Sequence, residues 1–598
     1  MCGLAVIYSY KIDGKPIDKG ELRRISDRMN SRGPDGKGEW FSDNNKIGFA
    51  HRRLAILDLS PAGSQPMQLR NSDETLKLVI TYNGEIYNFK ALQDELIAEG
   101  RRFKSNSDTE VLLHLYDRDG PDMVSKLRGM FAIAIWDIAN QALFLARDSF
   151  GIKPLYYSDN GNTIRVASQV KALVAGGNID TSPTPAGHAG FFIFGYVPEP
   201  HTLFNGIKAL EAGSTLWIKY GEKAIIKKYF DVRSLLSIER INLSRTETQV
   251  RLYEALSDSV AKHLVSDVTV GVFLSAGLDS ATITALASEH TNTNLKSMTL
   301  QFEELVGSSM DEAPLAEKIS MLYNTSHQTR NLKGSEFHEE MDTLFKSMDQ
   351  PSVDGVNTYF VSKEASSIGL KVALSGVGGD ELFGGYPSFQ QIPQLANSIG
   401  WIPGISQFGK VARYISAPIL RTITSPKYAS LFEFGGSYSG AYLLRRGLYL
   451  PWELPNVMDP DFAKAGWEAL QPLIKLEQTI EGILDEKAKV SALEMTWYMK
   501  NQLLRDADWA GMAHSLEIRT PFIDTNLFKQ IAKLKVTKRD MATSPKKSLP
   551  IDVLNRPKSG FHVPVREWLA GKDQSFSNER GLRGWARRVY SETTKNTA

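Results

Sequence analysis

The sequence predicts two folded domains: an α+β domain with two packed sheets, followed by an α/β domain with a doubly wound parallel sheet. In the first part, short apolar runs with β character, such as Leu4 to Tyr8 and Leu76 to Asn83, alternate with helical stretches. In the second part, two apolar strands each lead into a loop rich in glycine and serine, at residues 275–280 and 375–386. Such strand–loop units are typical of ligand sites at the carboxyl edge of a parallel sheet.

Length and composition limit the class of protein. With 598 residues, 42% hydrophobic and 23% charged, the chain has ordinary globular composition and room for several domains. A net charge of +2 gives no indication of a nucleic-acid partner. We find no signal-peptide pattern and no apolar run of about 18 residues, so we expect a cytoplasmic protein without a membrane span. Its expected partners are small-molecule substrates, and a homodimer is left open.

The domain boundaries that we expect are 1–215 for the first domain, 216–245 for a connection, 246–570 for the second domain and 571–598 for a C-terminal tail.

Cys2 is the only cysteine, which excludes an internal disulfide and a cysteine-based metal cluster. Removal of Met1 would make Cys2 the N-terminal residue. Its thiolate would then be a strong nucleophile, and the freed α-amine, with an ordinary pKa of about 7.7–8.0, could accept the thiol proton. A chance cysteine near the start of the chain explains the position alone about equally well.

Polar motifs in the first domain fit the binding of an amino acid amide. Arg53 could bind a carboxylate as a fork, and Glu85 or Asp108 could bind an ammonium group. The Asn83 side chain and the Gly84 N–H could donate to the oxyanion that forms when a thiolate attacks an amide. Each motif also has a structural explanation, because Asn-Gly is a frequent hairpin turn and Ser-Asp-Thr-Glu at 107–110 is typical of a helix cap.

In the second domain, the strand that ends at Leu274 is followed by Ser-Ala-Gly-Leu-Asp-Ser at 275–280 and then by a helix. This order indicates a phosphate-binding loop, although it lacks the lysine of a Walker loop, and an ordinary tight turn is the alternative. The stretch 375–386 contains five glycines around Asp380 and Glu381, and Asp380 could hold magnesium.

Other polar segments leave two interpretations open. Residues 349–352 and 501–506 could add polar groups to a site or could be charges on helix surfaces.

Lys558, in a turn after Arg556, could stabilise charge on a transferring phosphate. Residues 580–590 form a short basic amphipathic piece, for which we expect a helix packed on the domain rather than a membrane contact.

Residues 1–173 resemble the class II glutamine amidotransferase domain of the N-terminal-nucleophile superfamily, which implies a sandwich of two antiparallel sheets between helices. The resemblance implies that Cys2 attacks the side-chain amide of glutamine. It assigns glutamine binding to Arg53, the Ile56 backbone, Glu85 and Asp108, and the oxyanion hole to Asn83 and Gly84.

The order of all motifs resembles glutamine-hydrolysing asparagine synthetases over residues 2–570, including an ATP pyrophosphatase loop. The resemblance implies ATP as a substrate with Mg²⁺, and an acceptor carboxylate activated as its adenylate. The implied site residues are Phe273, Leu274 and Leu300 at adenine; Ser275, Gly277, Asp279, Ser280, Ser375 and Gly376 around the phosphates; Asp279 and Asp380 at the metal; and Lys558 as the catalytic lysine.

Two departures from the family pattern concern this second site. Ala276 and Val377 stand where many members have Gly and Glu, respectively. Since the Glu is associated with adenylate formation, its replacement bears on the acceptor: aspartate is our first expectation and a sugar acid or another carboxylate the second. A tRNA-modifying enzyme and a regulatory protein with a decayed ATP site are weaker alternatives, opposed by the glutamine motifs and by intact Asp279, Asp380 and Lys558.

Overall fold

Two six-stranded antiparallel sheets form the N-terminal half of the chain. The computed structural model describes residues 2–291, 295–557, 564, 568 and 581–595. The strands of this half are β1 (Gly3–Ser9), β2 (Gly36–Phe41), β3 (Ile47–Arg53), β4 (Met67–Arg70), β5 (Leu76–Ile86), β6 (Gly129–Asp137), β7 (Ala142–Arg147), β8 (Tyr156–Asp159), β9 (Thr163–Ala167), β10 (Lys208–Ala209), β11 (Ser214–Lys219) and β12 (Ile225–Lys228). One sheet has the order β10-β8-β9-β1-β3-β2 and the other β12-β11-β7-β6-β5-β4.

Strand β1 is buried on both faces, which explains its continuous apolar sequence. Leu4 and Val6 pack between the two sheets. Ala5 and Ile7 point the other way, toward helix α1 (Lys19–Arg28). Helices α2 (Phe89–Ala98) and α3 (Asp108–Asp119) cover the outer face of the second sheet, so the predicted two-sheet sandwich between helices is confirmed.

The second half contains a five-stranded parallel sheet of order β15-β14-β13-β16-β17. Its strands are β13 (Val270–Phe273), β14 (Lys296–Phe302), β15 (Ser326–Leu332), β16 (Val372–Leu374) and β17 (Glu517–Arg519). The chain adds β14 and β15 on one side of β13 and then returns to place β16 on the other. The order of the strands therefore reverses between β13 and β16, which is where ligands bind in sheets of this kind.

The remaining helices are α4 (Val170–Gly176), α5 (Pro185–Phe194), α6 (Val232–Leu236), α7 (Arg245–His263), α8 (Leu278–His290), α9 (Ala313–Tyr323), α10 (Gly334–Ser347), α11 (Val356–Ser367), α12 (Gly379–Phe383), α13 (Ser388–Ile399), α14 (Ile405–Ile423), α15 (Leu431–Phe434), α16 (Tyr438–Arg446), α17 (Pro460–Leu470), α18 (Pro472–Ile480), α19 (Glu486–Leu493), α20 (Arg505–Ala513), α21 (Thr525–Ile531), α22 (Lys538–Ala542), α23 (Ile551–Leu554) and α24 (Arg583–Lys595). A π-helical segment, Glu494–Leu504, joins α19 to α20.

Two regions and the character of the helices bear on the expectations from sequence. Strand β12 and helix α6 lie inside 216–245, and β12 pairs with the second N-terminal sheet. Helix α24 in the C-terminal tail buries Trp585 and Val589 against the domain, as expected for a packed helix. Among the described helices, none has the length and apolar character that crossing a membrane requires.

Candidate functional sites

Cys2 lies at the start of β1, at the junction of the two halves of the chain. Its backbone nitrogen donates to Asn83 Oδ1 at 2.9 Å, and its Sγ lies 3.9 Å from the carbonyl oxygen of Leu54. Burial raises the pKa of the Cys2 thiol. A thiol in this environment needs a nearby base to become a nucleophile, and the nitrogen held by Asn83 becomes an amine when Met1 is removed.

The Asn-Gly pair is not a hairpin turn, because β5 continues through it to Ile86. Gly84 has φ +155°, and a Cβ there would lie 2.0 Å from the carbonyl oxygen of Met130, so only glycine fits. Asn83 is buried, and its Nδ2 has no hydrogen-bond partner among the described residues. An amide donor held in this way beside a thiol suits a developing oxyanion.

We predicted Arg53, Ile56, Asn83, Gly84, Glu85 and Asp108 to bind glutamine, and all of these except Asn83 line one small cavity of about 30 Å³ together with Cys2. The residues that meet there are Arg53, Ile56, Gly84, Glu85 and Asp108. Ser107 caps helix α3 through the backbone N–H of Thr109, so the motif at 107–110 both caps a helix and places Asp108 in the cavity.

The Arg53 guanidinium, which we expected to bind a carboxylate, is engaged by backbone carbonyl groups instead. It donates to the carbonyl oxygens of Ser60, at 3.0 Å, and Leu57, at 3.4 Å. These contacts hold the 57–63 loop over the cavity. The Ile56 carbonyl is also engaged, since it accepts a hydrogen bond of 3.0 Å from the backbone N–H of Asp267 in the second half. The cavity must therefore widen before an amino acid enters.

Burial raises the pKa of both carboxyl groups in the cavity. For Glu85 the nearby Glu517 raises it further, while Arg519 opposes this. Asp108 accepts hydrogen bonds of 3.0 Å from the Tyr82 hydroxyl and the Ile86 N–H, which lower its pKa against the effect of burial. An ammonium group entering this site would favour ionisation of both carboxyl groups.

The second cavity has a volume of about 620 Å³ and lies at the carboxyl edge of the parallel sheet, where the strand order reverses. A cavity of this size accommodates a nucleotide. It is lined by every residue that we predicted at adenine and the phosphates: Phe273, Leu274, Leu300, Ser275, Gly277, Asp279, Ser280, Ser375 and Gly376.

The two loops of this cavity interlock around Asp279. A Cβ on Gly376 would lie 2.8 Å from the Asp279 Cβ, and one on Gly379 would lie 2.0 Å from its Oδ1. Both glycines are thus required by close packing. Ala276 is buried and does not have a positive φ, so its methyl group causes no backbone strain.

Lys538, at the start of α22, was not anticipated from the sequence. Its ammonium group bridges Asp279 and Asp380, with an Nζ–Oδ1 distance of 2.7 Å to Asp380. Burial lowers the pKa of Lys538, but the two carboxylates outweigh this and raise it, so the group stays charged. No local sequence feature marks this lysine, since its partners lie far away in the chain.

The acidic side chains of the cavity extend beyond the two predicted metal ligands. Glu312 accepts a hydrogen bond of 3.2 Å from Arg556, and both line the cavity. Burial and then Asp380 raise the pKa of Glu381 to about 7, and Glu381 accepts a hydrogen bond of 2.8 Å from the Tyr386 hydroxyl. Lys558 lies outside the described residues.

The two polar segments that could have been surface charge are buried instead. Asp349 accepts hydrogen bonds of 2.9 and 3.0 Å from the first N–H groups of α4, in the other half of the chain. Asn501 accepts one of 3.0 Å from the Glu199 N–H, and Arg505 donates to the Val197 carbonyl at 2.6 Å. Both segments join the two halves and do not line the glutamine cavity.

Two buried ion pairs lie between the glutamine cavity and the second half of the chain. Arg32 donates to Asp508 at 2.6 and 2.9 Å and to the Cys2 carbonyl at 3.1 Å. The Arg519 side chain lies 3.6 Å from Glu85, while its backbone carbonyl accepts a hydrogen bond of 2.8 Å from the Ser375 N–H. One residue therefore touches the glutamine cavity with its side chain and the nucleotide loop with its backbone.

This fold and its two sites define a glutamine amidotransferase joined to a synthetase domain. A family model described as glutamine amidotransferase domain matches residues 1–230, and one described as asparagine synthase matches residues 251–590. The chain belongs to the asparagine synthase family, which confirms the resemblance read from the motifs; this family uses ATP as a substrate.

Two relatives match over nearly the whole chain and a third over about two thirds of it. Glutamine-hydrolyzing asparagine synthetase 1 of Bacillus subtilis is 31% identical over 608 residues, covering 99% of this chain and 90% of its own. Glutamine-hydrolyzing asparagine synthetase 3 of the same organism is 29% identical, over 95% of this chain and 89% of its own. Glutamine-hydrolyzing asparagine synthetase B of Escherichia coli is 33% identical, over 66% of each chain.

Proposed function

We propose that the protein is a glutamine-dependent asparagine synthetase. Glutamine is hydrolysed at Cys2, and the ammonia passes to an aspartyl-adenylate in the second cavity. The geometry of the two sites carries this proposal. In one half, the Cys2 nitrogen is held by the buried amide of Asn83. In the other half, the Lys538 ammonium bridges Asp279 and Asp380.

At the first site, Cys2 Sγ attacks the side-chain amide carbon of glutamine. The amine of Cys2 takes the thiol proton, and the negative charge that develops on the amide oxygen is stabilised by Asn83 Nδ2 and the Gly84 N–H. The C–N bond then breaks to give ammonia and a glutamyl thioester, which water hydrolyses to glutamate. Release of Arg53 from the 57–63 loop would free its guanidinium for the glutamine α-carboxylate.

At the second site, the acceptor carboxylate attacks the α-phosphorus of ATP, and pyrophosphate leaves. Ammonia then attacks the acyl carbon, and AMP leaves with the formation of an amide. Asp279 and Asp380 would hold Mg²⁺ beside the Lys538 ammonium, which contacts the Oδ1 atom of each, and the ion would neutralise phosphate charge. A pair of carboxylates plus phosphate oxygens suits Mg²⁺, which seldom has an all-protein cage, and the described residues contain no group of three or more candidate ligands.

Aspartate is the proposed acceptor because the relatives that match over most of this chain carry the name asparagine synthetase. A second acceptor, another carboxylate such as a sugar acid, is supported by Val377. This side chain lines the nucleotide cavity and contributes to an apolar cluster with Met495 and Ile523. A carboxylate associated with adenylate formation in many family members is thus replaced by a packed apolar side chain.

The test is pyrophosphate release from ATP with Mg²⁺ and glutamine, with and without L-aspartate. We expect release that depends on aspartate, with asparagine as the product. Aspartate-independent glutaminase activity without pyrophosphate would reject aspartate, and a panel of sugar acids would then be tested. Failure of every carboxylate to elicit pyrophosphate would overturn the synthetase assignment.

Cys2→Ala separates the two sites. We expect this variant to lose glutamine-dependent amidation and to keep amidation with added ammonia, since the second cavity does not contain Cys2. Glutaminase activity that survives in Cys2→Ala would contradict the assignment of the nucleophile.

A further inference from the structure

Helix α14 and the turn before it expose a row of large apolar side chains. Trp401 is 76% exposed, Phe408 61%, Val411 59%, Tyr414 74% and Ile415 70%. Residues 408, 411 and 415 follow the three-and-four spacing of one helix face. These residues lie outside both cavities.

The opposite face of α14, which packs on the protein, carries small residues and the Arg413 side chain, whose guanidinium pairs with Glu433. Gly409 and Ala417 are buried, and a Cβ on Gly409 would lie 2.3 Å from the backbone nitrogen of Glu433 at α15. A helix that only packs on its own domain turns its large apolar side chains inward and its polar ones outward. Helix α14 has the reverse arrangement, so its apolar face serves a contact outside the domain.

The charge around this face identifies the contact. Between Glu381 and Glu433 the sequence has no Asp or Glu and four basic residues, Lys410, Arg413, Arg421 and Lys427. Arg413 is paired with Glu433 at 2.7 Å, and the Lys427 ammonium donates to the carbonyl oxygens of Arg445 and Gly447. Of these three residues, Lys410 presents its charge to solvent, beside the apolar row. An apolar face edged by positive charge is complementary to an anionic lipid surface.

We propose that α14 docks this protein on anionic phospholipid, with the helix lying in the plane of the membrane surface. Phe408, Val411 and Ile415 enter the boundary of the acyl chains, and Trp401 and Tyr414 lie at the level of the headgroups. The helix lies on the bilayer and does not span it. In a symmetric contact between two copies of this segment, residues 382–432 would supply no acidic side chain to meet Lys410, so such a contact lacks the complementary charge.

The test is flotation of the full-length protein with vesicles of phosphatidylcholine, either alone or mixed with phosphatidylglycerol. We expect the protein to float with the mixed vesicles, and the bound fraction to fall as ionic strength rises. The double variant Phe408→Ser/Ile415→Ser should lower partitioning at least about tenfold, because burial of these two side chains supplies much of the binding. Lys410→Glu should lower it several-fold on the anionic vesicles.

The matched control is Met321→Ser/Leu484→Ser, which also replaces two exposed apolar side chains, 79% and 93% exposed, elsewhere on the surface. This control should float like the unaltered protein, and all variants should keep pyrophosphate release and thermal stability. The proposal is overturned if the unaltered protein floats with neither vesicle, or if both double variants bind equally. It is also overturned if the α14 variant only converts an oligomer into a monomer.

Discussion

Glu199 lies between the two halves of the chain, and the loss of stability expected when its charge is removed can be calculated. Its carboxylate lies 2.7 Å from Arg147 in the N-terminal half and 3.5 Å from Lys500 in the π-helical segment. Burial opposes ionisation, but Arg147, Lys500 and Arg505 outweigh it and lower the pKa of Glu199 to about 2. Glu199→Gln keeps the shape of the side chain and removes the charge.

The magnitude follows from the pKa. A change from the ordinary 4.5 to about 2 corresponds to about 3 kcal/mol of stability at neutral pH, at about 1.4 kcal/mol per pKa unit. The side chain is 2% exposed, so solvent screening reduces this value little. The cost of breaking a buried ion pair, about 3–5 kcal/mol, agrees with it.

The sign of the pH dependence is fixed because the pKa of Glu199 is lowered in the folded protein. The contribution is fully present above about pH 4.5 and is lost as the pH falls from there toward about 2. The unfolding entropy of a chain of 598 residues is about 1.3 kcal/mol/K, so thermal unfolding of the unaltered protein and Glu199→Gln should show a Tm difference of about 2 °C that is constant from pH 8 to about pH 5 and shrinks below.

The control is Glu222→Gln, which removes one member of a solvent-exposed pair with Lys219 at 3.7 Å and should leave Tm unchanged. A Tm difference below about 1 °C for Glu199→Gln at neutral pH would refute the reasoning. A Tm difference that changes between pH 6 and 8 would also refute the reasoning, because the Glu199 carboxyl group, with a pKa of about 2 in the folded protein and 4.5 in the unfolded chain, does not titrate in that range.

Four further predictions concern the two sites. Lys538→Met should abolish pyrophosphate release but leave glutaminase activity intact, because the ammonium between the two aspartates is lost; equal loss of both activities would indicate misfolding. Asn83→Ala should lower the kcat of glutamine hydrolysis by about 10²–10³ with little change in KM, and a change confined to KM would argue against an oxyanion role. Arg519→Lys should raise the KM for glutamine and the ratio of glutamate to pyrophosphate formed, whereas an unchanged ratio would deny any coupling role. Glu381 lines the nucleotide cavity beside Asp380, so Glu381→Gln should lower pyrophosphate release and leave glutaminase activity unchanged; unchanged pyrophosphate release would exclude a role for its carboxylate.

The parts of the fold that the sequence predicted are those with a local physical signal. Strand β1 was predictable because apolar side chains on both of its faces leave an unbroken apolar run. Helix α3 was predictable from its Ser107 cap, and the two loops of the nucleotide cavity from their glycines. The Asn-Gly pair shows the limit of such signals, since the same dipeptide that favours a turn here continues a strand.

The contacts that the sequence did not reveal join residues far apart in the chain. Lys538 reaches Asp279 and Asp380 only because α22 packs beside the two loops, and Arg32 meets Asp508 across 476 positions. Their sequence neighbourhoods are those of ordinary helices and turns. The burial of residues 349–352 and 501–506 was equally undecidable, because a polar helix face is solvated or covered according to what packs on it.

The placement of charge at the junction of the two halves has a chemical reason. In the proposed reaction, ammonia passes from the first site to the second. Ammonia released into water at neutral pH is mostly protonated and is then not a nucleophile, so this reaction requires the two sites to keep a fixed geometry. Buried ion pairs add little net stability compared with apolar packing, but they tolerate only one geometry. Arg519 places one such pair against Glu85 while its backbone holds Ser375. Glu517 holds the Arg519 guanidinium at 2.7 Å, more closely than Glu85 does, so a displacement of Glu85 by a bound ligand would reach the nucleotide loop through this shared arginine. Under the proposed function, coupling between the sites should then be more sensitive than overall stability to conservative changes at Arg519.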